Sequence, residues 1–289
     1  MDILDAIQTS PVLFQTLVTL LGLCVGSFLN VIIYRLPLRM EQEWRNECID
    51  FLKLSPAPPR SIPSNIWTSR SSCPHCKTRL RLRDNIPVLS YLFLGGKCAH
   101  CQQKISIQYP LVEISCALLS LAVAIHFGYS WQTVAGLIFT WLLITMSGID
   151  IKHQILPDVL TYIGIWIGLL LSLSPLFVDS HSAIIGGLAG YLSLWTIANL
   201  FKLLTQKDGM GYGDFKLFAL LGVWLGWQML IFIILVAAFL GSLIGLALIL
   251  FKGSSRDTPI PFGPFLALAG WIALIWGNAW ISPYFTLLS

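Results

Sequence analysis

The chain alternates long apolar runs with short polar breaks, and the runs are nearly free of charged residues. A helix that crosses the hydrocarbon core of a bilayer needs about 20 consecutive apolar residues, and several runs reach this length. The runs cover residues 13–34, 111–127, 131–148, 159–177, 183–204, 215–250 and 262–281. The pattern predicts an all-α polytopic membrane protein.

The run at 215–250 is too long for a single span. At about 1.5 Å per residue it would form a helix of about 54 Å, whereas the hydrocarbon core measures about 30 Å. We expect a break near Gly226, Trp227 and Gln228, which leaves a short first piece. The number of predicted transmembrane helices is then about eight.

Composition supports a membrane protein and excludes other classes. Apolar residues make up 56% of the 289 residues and charged residues only 11%, against about 25% charged residues in soluble proteins. The seven cysteines are an odd number, which argues against a disulfide framework. Residues 1–10 hold two aspartates and no Lys or Arg, so we expect no cleavable signal peptide.

The charge distribution predicts an orientation. Residues 35–110 hold 12 Lys/Arg and 5 Asp/Glu, in a chain of net charge +4. A basic segment could face nucleic acid, but beside membrane spans it more simply marks the cytoplasmic side, and we expect no nucleic-acid partner. With eight spans and an extracytoplasmic N-terminus, all 18 Lys/Arg fall on one side of the bilayer.

These features divide the chain into three parts. Residues 1–35 are expected to form the first transmembrane helix, with its N-terminus outside. Residues 36–107 are expected to form a cytoplasmic zinc-binding loop domain between helices 1 and 2. Residues 108–289 are expected to form the remaining transmembrane bundle.

Four cysteines in two Cys-x-x-Cys pairs predict a metal site in the polar loop. The pairs are Cys73 with Cys76 and Cys98 with Cys101. Two such turns supply four thiolates for tetrahedral zinc, and a closed four-sulfur site is structural because it leaves no position for water. Redox pairs or unrelated thiols are the alternative, and His75 or His100 could replace a sulfur.

Two aspartates at span boundaries are candidate catalytic residues. Asp150 closes the third span, and Asp214 follows a glycine-rich loop just before the sixth. If those spans pack together, the two carboxylates can share one proton, so that one acts as a base and the other as an acid. Gly211 and Gly213 lack a Cβ and would let an extended substrate approach Asp214. Boundary aspartates also serve as helix caps or lie in water, so spacing alone leaves both alternatives open.

Other polar residues have simpler interpretations. Asp158 follows Pro157 at the start of the fourth span, where a helix N-terminus favours a carboxylate. The Gly-x-Gly-x-Gly run does not follow a strand, so we discard a phosphate-binding loop. Glu113 lies one turn into the second span and is either functional or paired with a loop Lys or Arg.

Read together, these motifs resemble the type IV prepilin peptidase family of membrane aspartyl proteases. The resemblance covers nearly the whole chain, and five motifs occur in the family's order. They are GSFLNVIIYRLP at 26–37, the four cysteines, YPLVE at 109–113, Asp150 with ILPD at 155–158, and GYGD at 211–214.

The resemblance implies two reactions and several partners. Bifunctional members cleave the basic leader of type IV prepilins and type II secretion pseudopilins at the cytoplasmic face of the bacterial inner membrane. They then methylate the new N-terminal residue with S-adenosylmethionine. The resemblance implies that Asp150 and Asp214 are the catalytic pair and that the lipid bilayer surrounds the bundle.

The methyl-donor pocket is expected in the polar loop, the only loop large enough to build one. Gly95 and Gly96 would let a ligand approach the backbone closely, or they only form the turn that enters the second cysteine pair. Glu113 could attract the substrate's new α-amino group. A protease without methyltransferase activity, and a non-catalytic zinc-anchored scaffold or transporter, remain alternative functions.

Overall fold

The computed structural model describes residues 5, 8–54, 72–73, 75–207, 209–252 and 260–286. Its helices are α1 (Pro11–Phe51), α2 (Leu89–Phe93), α3 (Gln108–Phe127), α4 (Trp131–His153), α5 (Asp158–Ser172), α6 (Ser180–Thr205), α7 (Tyr212–Leu225), α8 (Leu230–Lys252) and α9 (Gly263–Thr286). Residues 1–125 and 126–289 form two compact units. The prolines between 56 and 63 and Asp208 lie outside the described residues.

The expected all-α membrane architecture is confirmed within the described ranges. Every helix except α2 corresponds to a predicted span. Five helices are long and apolar enough to cross a membrane by length and composition: α1, α3, α4, α6 and the helix over Trp227–Phe251. Helix α5 and the first part of α9, Gly263–Gly277, are shorter apolar helices. The three-part division at residues 35 and 107 stays a prediction.

Helix α1 is longer than its apolar run. The run ends near residue 34, but the helix continues through Pro37 to Phe51. Its 41 residues span about 60 Å, roughly twice the hydrocarbon core. The charged second half of the helix is stabilised by an i,i+4 ion pair, in which Nε of Arg39 lies 2.8 Å from Oε1 of Glu43.

Small residues bring α1 and α3 together in the first unit. A Cβ at Gly22 would lie 2.9 Å from the Cα of Ala117, and a Cβ at Gly26 would lie 2.8 Å from the Cα of Glu113. Glycines four residues apart let two membrane helices approach at backbone distance. The Asn30 side-chain amide adds a hydrogen bond of 3.0 Å to the Tyr109 carbonyl.

Helix α7 is the central helix of the second unit. Eleven of its 14 residues are buried, so it packs against protein on every side. Gly186 and Gly190 on α6 place that helix against the α7 backbone, where a Cβ at Gly190 would lie 2.7 Å from the Phe218 carbonyl oxygen. On the α5 side, the Trp224 indole N–H donates a hydrogen bond of 2.8 Å to the Gly164 carbonyl. A helix enclosed by protein does not need the length of a lipid-facing span.

The break expected inside the run at 215–250 is confirmed. Helix α7 ends at Leu225, and Gly226 has a left-handed φ of +82° that glycine adopts without a steric penalty. A single 3-10 turn at Trp227–Met229 leads into α8. Helix α8 is far less buried than α7, which explains why it carries the more continuous apolar surface.

Candidate active site and metal centre

Asp150 lies in the last turn of α4 and is held by α9. Helix α4 ends one turn later, where Gln154 adopts a left-handed conformation and its N–H donates to the Asp150 carbonyl. The Asp150 side chain is 5% exposed. Its Oδ2 accepts a hydrogen bond of 3.1 Å from the backbone N–H of Gly263, the first residue of α9.

Asp214 lies in the first turn of α7 and is also buried, at 9% exposure. Gly211 caps this helix, and a Cβ there would lie 3.7 Å from Oδ2 of Asp214. A Cβ at Gly213 would lie 2.8 Å from the Cβ of Leu156. Gly211 therefore leaves space beside the carboxylate, whereas the absence of a side chain at Gly213 accommodates Leu156.

The structure brings Asp150 and Asp214 together. Leu156 lies beside Gly213, the neighbour of Asp214, and beside Gly263, whose N–H binds Asp150. Helix α9 packs on both α4 and α7 near these residues. The third and sixth spans were expected to pack together, and the rings of Phe139 and Trp224 on these two helices lie 4.9 Å apart, while α9 packs on both helices as well.

Sequence reasoning missed Gly263. The signal that could have found it is local: Pro261, Phe262, Gly263 and Pro264 mark a helix start, because proline favours the first turn. Nothing in the sequence indicates which distant side chain that helix start would face, since Asp150 lies 113 residues earlier.

Asp158 is the first residue of α5, as expected, and it also has a partner. Lys216 on α7 donates to both of its carboxylate oxygens, at 2.6 and 2.7 Å. The Lys216 ammonium lies 5.4 Å from the centre of the Tyr162 ring. The Asp158 side chain is 53% exposed, so this pair joins α5 to α7 at the edge of the bundle.

The four candidate metal ligands lie together. Their sulfur atoms all fall within 4.8 Å of one another, and the Cys73 and Cys101 sulfurs are 3.8 Å apart. The members are Cys73, Cys76, Cys98 and Cys101. A tetrahedral site with zinc–sulfur bonds of about 2.3 Å requires sulfurs about 3.8 Å apart, so the cluster fits zinc.

Both cysteine pairs have the same backbone fold. In each, the N–H of the first cysteine donates to the carbonyl five residues on, and its carbonyl accepts from the N–H four residues on, at 2.9 to 3.0 Å. The residue after each second cysteine is left-handed, with φ of 56° at Lys77 and 58° at Gln102. His75 and His100 are exposed and lie outside the sulfur cluster.

Ionisation of the neighbouring thiols opposes ionisation of Cys101. Hydrogen bonds from Thr78 lower the pKa of the Cys76 thiol to about 6. The Gln103 backbone lowers the pKa of Cys101, but burial and the other three thiols raise it to about 11. A divalent metal would remove this repulsion by stabilising all four thiolates.

Gly95 and Gly96 form the turn between α2 and the second cysteine pair. Both have a left-handed φ, +59° at Gly95 and +68° at Gly96. The Gly96 N–H donates a hydrogen bond of 2.8 Å to the Tyr91 carbonyl. A Cβ at Gly96 would lie 2.9 Å from the Tyr91 hydroxyl, whereas a Cβ at Gly95 would meet nothing within 4 Å. The turn explains both glycines, and Gly95 faces open space.

Glu113 is buried at the base of this loop. Its side chain is 7% exposed and accepts a hydrogen bond of 2.7 Å from the Val88 backbone N–H. The Ser27 hydroxyl on α1 is a second donor. Val88 has φ +60°, which is strained for a β-branched residue. Glu113 therefore joins α1, α3 and a strained loop residue.

Two buried aspartates side by side in a helical membrane bundle are the arrangement of a membrane aspartyl peptidase. Residues 20–127 match the model of the bacterial peptidase A24 N-terminal domain, and residues 137–246 match that of the type IV leader peptidase family. The chain belongs to the type IV leader peptidase family.

Curated relatives match along nearly their whole length. The chain is 49% identical to the prepilin leader peptidase/N-methyltransferase of Pseudomonas aeruginosa, over 96% of each chain. It is 47% identical to the protein of the same name from Stutzerimonas stutzeri, over 97% of this chain and 96% of the relative. The Legionella pneumophila relative is 44% identical over 95% of each chain. No solved structure matches the chain.

Proposed function

We propose that this protein cleaves the leader peptide of type IV prepilins and pseudopilins and then methylates the new N-terminal residue with S-adenosylmethionine. The observation that supports cleavage is the pairing of buried Asp150 and Asp214 at adjoining helix ends. Relatives of 44–49% identity that carry both activities in their names support the methylation.

One ionised and one protonated aspartate are sufficient to hydrolyse a peptide bond with water. The ionised carboxylate takes a proton from water as the water oxygen bonds to the scissile carbonyl carbon, and the protonated carboxyl gives its proton to the carbonyl oxygen. In the second step the first carboxyl protonates the leaving nitrogen and the C–N bond breaks. The proton of the former carbonyl oxygen returns to the second carboxylate, which restores the starting state.

The charge distribution supports cleavage on the cytoplasmic side of the inner membrane. All 18 Lys/Arg fall on one side of the eight-span arrangement, and the positive-inside rule makes that side cytoplasmic. Asp150 and Asp214 lie at helix ends on that side. A substrate with a basic leader and an apolar helix would hold its scissile bond at the same boundary.

We assign the methyl-donor pocket to the loop between α1 and α3, beside Gly95 and Gly96. S-adenosylmethionine is a soluble molecule, and Gly95 has open space where a side chain would stand. Glu113 stays a candidate for attracting the substrate amine. Its contact with Val88 supports a second role in holding the loop.

We assign one zinc ion to the four cysteines. The ion would join the two cysteine turns, which lie 21 residues apart in the sequence. Large apolar side chains between the turns, such as Leu89, Leu92 and Phe93, are exposed and form no core that could hold the turns together. Such sites stabilise small domains by tying distant segments together. No step of cleavage requires this metal.

One experiment tests both activities. Purified protein in detergent is incubated with a prepilin and methyl-labelled S-adenosylmethionine, and leader loss and methyl incorporation are measured separately. We expect both, with methylation confined to the cleaved pilin. Cleavage without methylation would leave a peptidase only, and absence of both would favour a scaffold or transporter.

A further inference from the structure

We propose that the backbone N–H of Gly263 positions Asp150 for cleavage. The first turn of α9 holds one carboxylate oxygen, so that Asp150 presents its other oxygen to the reacting atoms. The inference rests on the proposed role of Asp150 and Asp214 as the catalytic pair.

The Asp150 carboxylate provides an acceptor for a backbone N–H in the first turn of α9. The first N–H groups of a helix have no partner within the helix. In α9, Pro264 has no N–H, while Phe265 and Leu266 donate to the Phe262 carbonyl. The Gly263 N–H donates a hydrogen bond of 3.1 Å to Oδ2 of Asp150. Asp150 on α4 thus caps a helix that begins 113 residues later.

Glycine is required at 263 for space rather than for backbone conformation. A Cβ on this residue would lie 2.6 Å from Oδ2 and 3.2 Å from Cγ of Asp150. Its φ is not left-handed, so another residue could adopt the same backbone. A side chain would therefore displace the carboxylate rather than unwind the helix.

The same helix start also contributes to the Asp214 side of the site. A Cβ at Gly263 would lie 3.3 Å from Cδ1 of Leu156, and a Cβ at Gly213 would lie 2.8 Å from Cβ of the same residue. Gly263, Leu156 and Gly213 therefore form a row of close contacts from Asp150 to Asp214. A change at 263 alters the distance between the two carboxylates as well as the orientation of one.

The test is Gly263→Ala, with Gly270→Ala as the matched control. Both substitutions add one methyl group to α9, but a Cβ at Gly270 would meet the side chain of Leu221 instead of the Asp150 carboxylate. Because misplacement of a catalytic group by about 1 Å can cost a hundredfold in rate, we expect Gly263→Ala to lower kcat for leader cleavage by about a hundredfold, with KM little changed. Gly270→Ala should stay within about tenfold of the wild type.

Three further measurements separate positioning from general damage. Methylation of a pre-cleaved pilin should persist in Gly263→Ala, because the methyl-donor pocket is assigned to the loop between α1 and α3. The pH dependence of kcat/KM should change in Gly263→Ala and stay as in the wild type in Gly270→Ala. Adding Gly263→Ala to Asp150→Asn should cause no further loss, since both changes act on one carboxylate.

The outcomes are distinguishable. Wild-type cleavage by Gly263→Ala, beside an inactive Asp150→Asn, overturns the positioning role and leaves the catalytic pair intact. Equal losses in Gly263→Ala and Gly270→Ala, or loss of methylation with cleavage, overturn it by revealing a packing role. Full activity of both aspartate variants overturns the catalytic pair itself, and the inference fails with it.

Discussion

Burial distinguishes three aspartates at helix ends, Asp150, Asp158 and Asp214, and predicts which of them are needed for cleavage. Asp150 and Asp214 are at most 9% exposed and close together, whereas the Asp158 side chain is 53% exposed and paired with Lys216. Asp150→Asn and Asp214→Asn keep the side-chain shape but remove proton transfer. We expect each to lower cleavage on the order of a thousandfold or more.

Asp158→Asn is the matched control for the catalytic pair. It weakens an ion pair in which the Asp158 side chain is 53% exposed and the Lys216 side chain 20% exposed. Solvent screening limits the contribution of such a pair to about 1 kcal/mol, so cleavage should stay within about fivefold of the wild type. Prepilin cleavage by purified, correctly inserted variants provides the measurement. A similar loss at all three positions would contradict the assignment of the pair.

Two substitutions at Glu113 distinguish its two proposed roles, which are to hold the loop and to attract the substrate amine. Glu113→Gln keeps an acceptor for the Val88 N–H but removes the charge, whereas Glu113→Ala removes both. If Glu113 mainly holds the loop, Gln should keep methylation within about tenfold, while Ala leaves the part-buried Val88 N–H without this acceptor, at a cost of up to about 3 kcal/mol. Limited proteolysis of the loop and methylation of a pre-cleaved pilin test this. Equal loss of methylation in both variants, with a protected loop, would instead support attraction of the substrate amine.

At the scale of elements, the packing of α6 on α7 depends on individual glycines. A Cβ at Gly186 would meet the α7 backbone at Gly222, whereas one at Gly187 would meet the end of the Val223 side chain, 2.8 Å away. Gly186→Ala should therefore destabilise the bundle by about 1–3 kcal/mol through overpacking. Gly187→Ala should have a smaller effect because its added methyl group meets a side-chain methyl group of Val223 and not the α7 backbone. Thermal unfolding in detergent compares the two, and equal shifts would contradict this account.

The cysteine pairs lead to a prediction about metal. Purified protein should contain one zinc per chain, and Cys73→Ser should lower this content, whereas Cys48→Ser on exposed α1 should not. Acidification should release the metal, because protons compete for the thiolates. Metal analysis across pH provides the measurement. A Cys73–Cys76 disulfide in cells, or protein without metal, would contradict a zinc site.

Local patterns predicted most elements, because each depends on residues close in sequence. The apolar runs, the break at Gly226 and the paired cysteine turns all arise from short segments. The extension of α1 beyond its apolar run was missed, since the charged segment forms a helix outside the membrane pattern. The contacts of Asp150 with Gly263 and of Glu113 with Val88 join distant segments. No local pattern carries that information.

At the scale of the whole molecule, orientation is the property that charge predicts. Native Cys48 on α1 should react with a membrane-impermeant maleimide only from the cytoplasmic side. A cysteine introduced as Ser174→Cys, in the exposed turn after α5, should react only from the opposite side. Labelling in intact cells and in inverted vesicles, mapped by mass spectrometry, tests both. Labelling of both from the same side would contradict the eight-span topology.

The contact between Asp150 and the start of α9 also bears on how the enzyme is made. A ribosome adds about 5–20 residues per second, so the 49 residues between Asp214 and Gly263 take roughly 2–10 s to synthesise. During that interval the nascent chain holds both aspartates, but the helix start that completes their surroundings has not been translated. Under the proposed role of Gly263, proteolytic competence is therefore acquired late in biogenesis, after the start of α9 has been made.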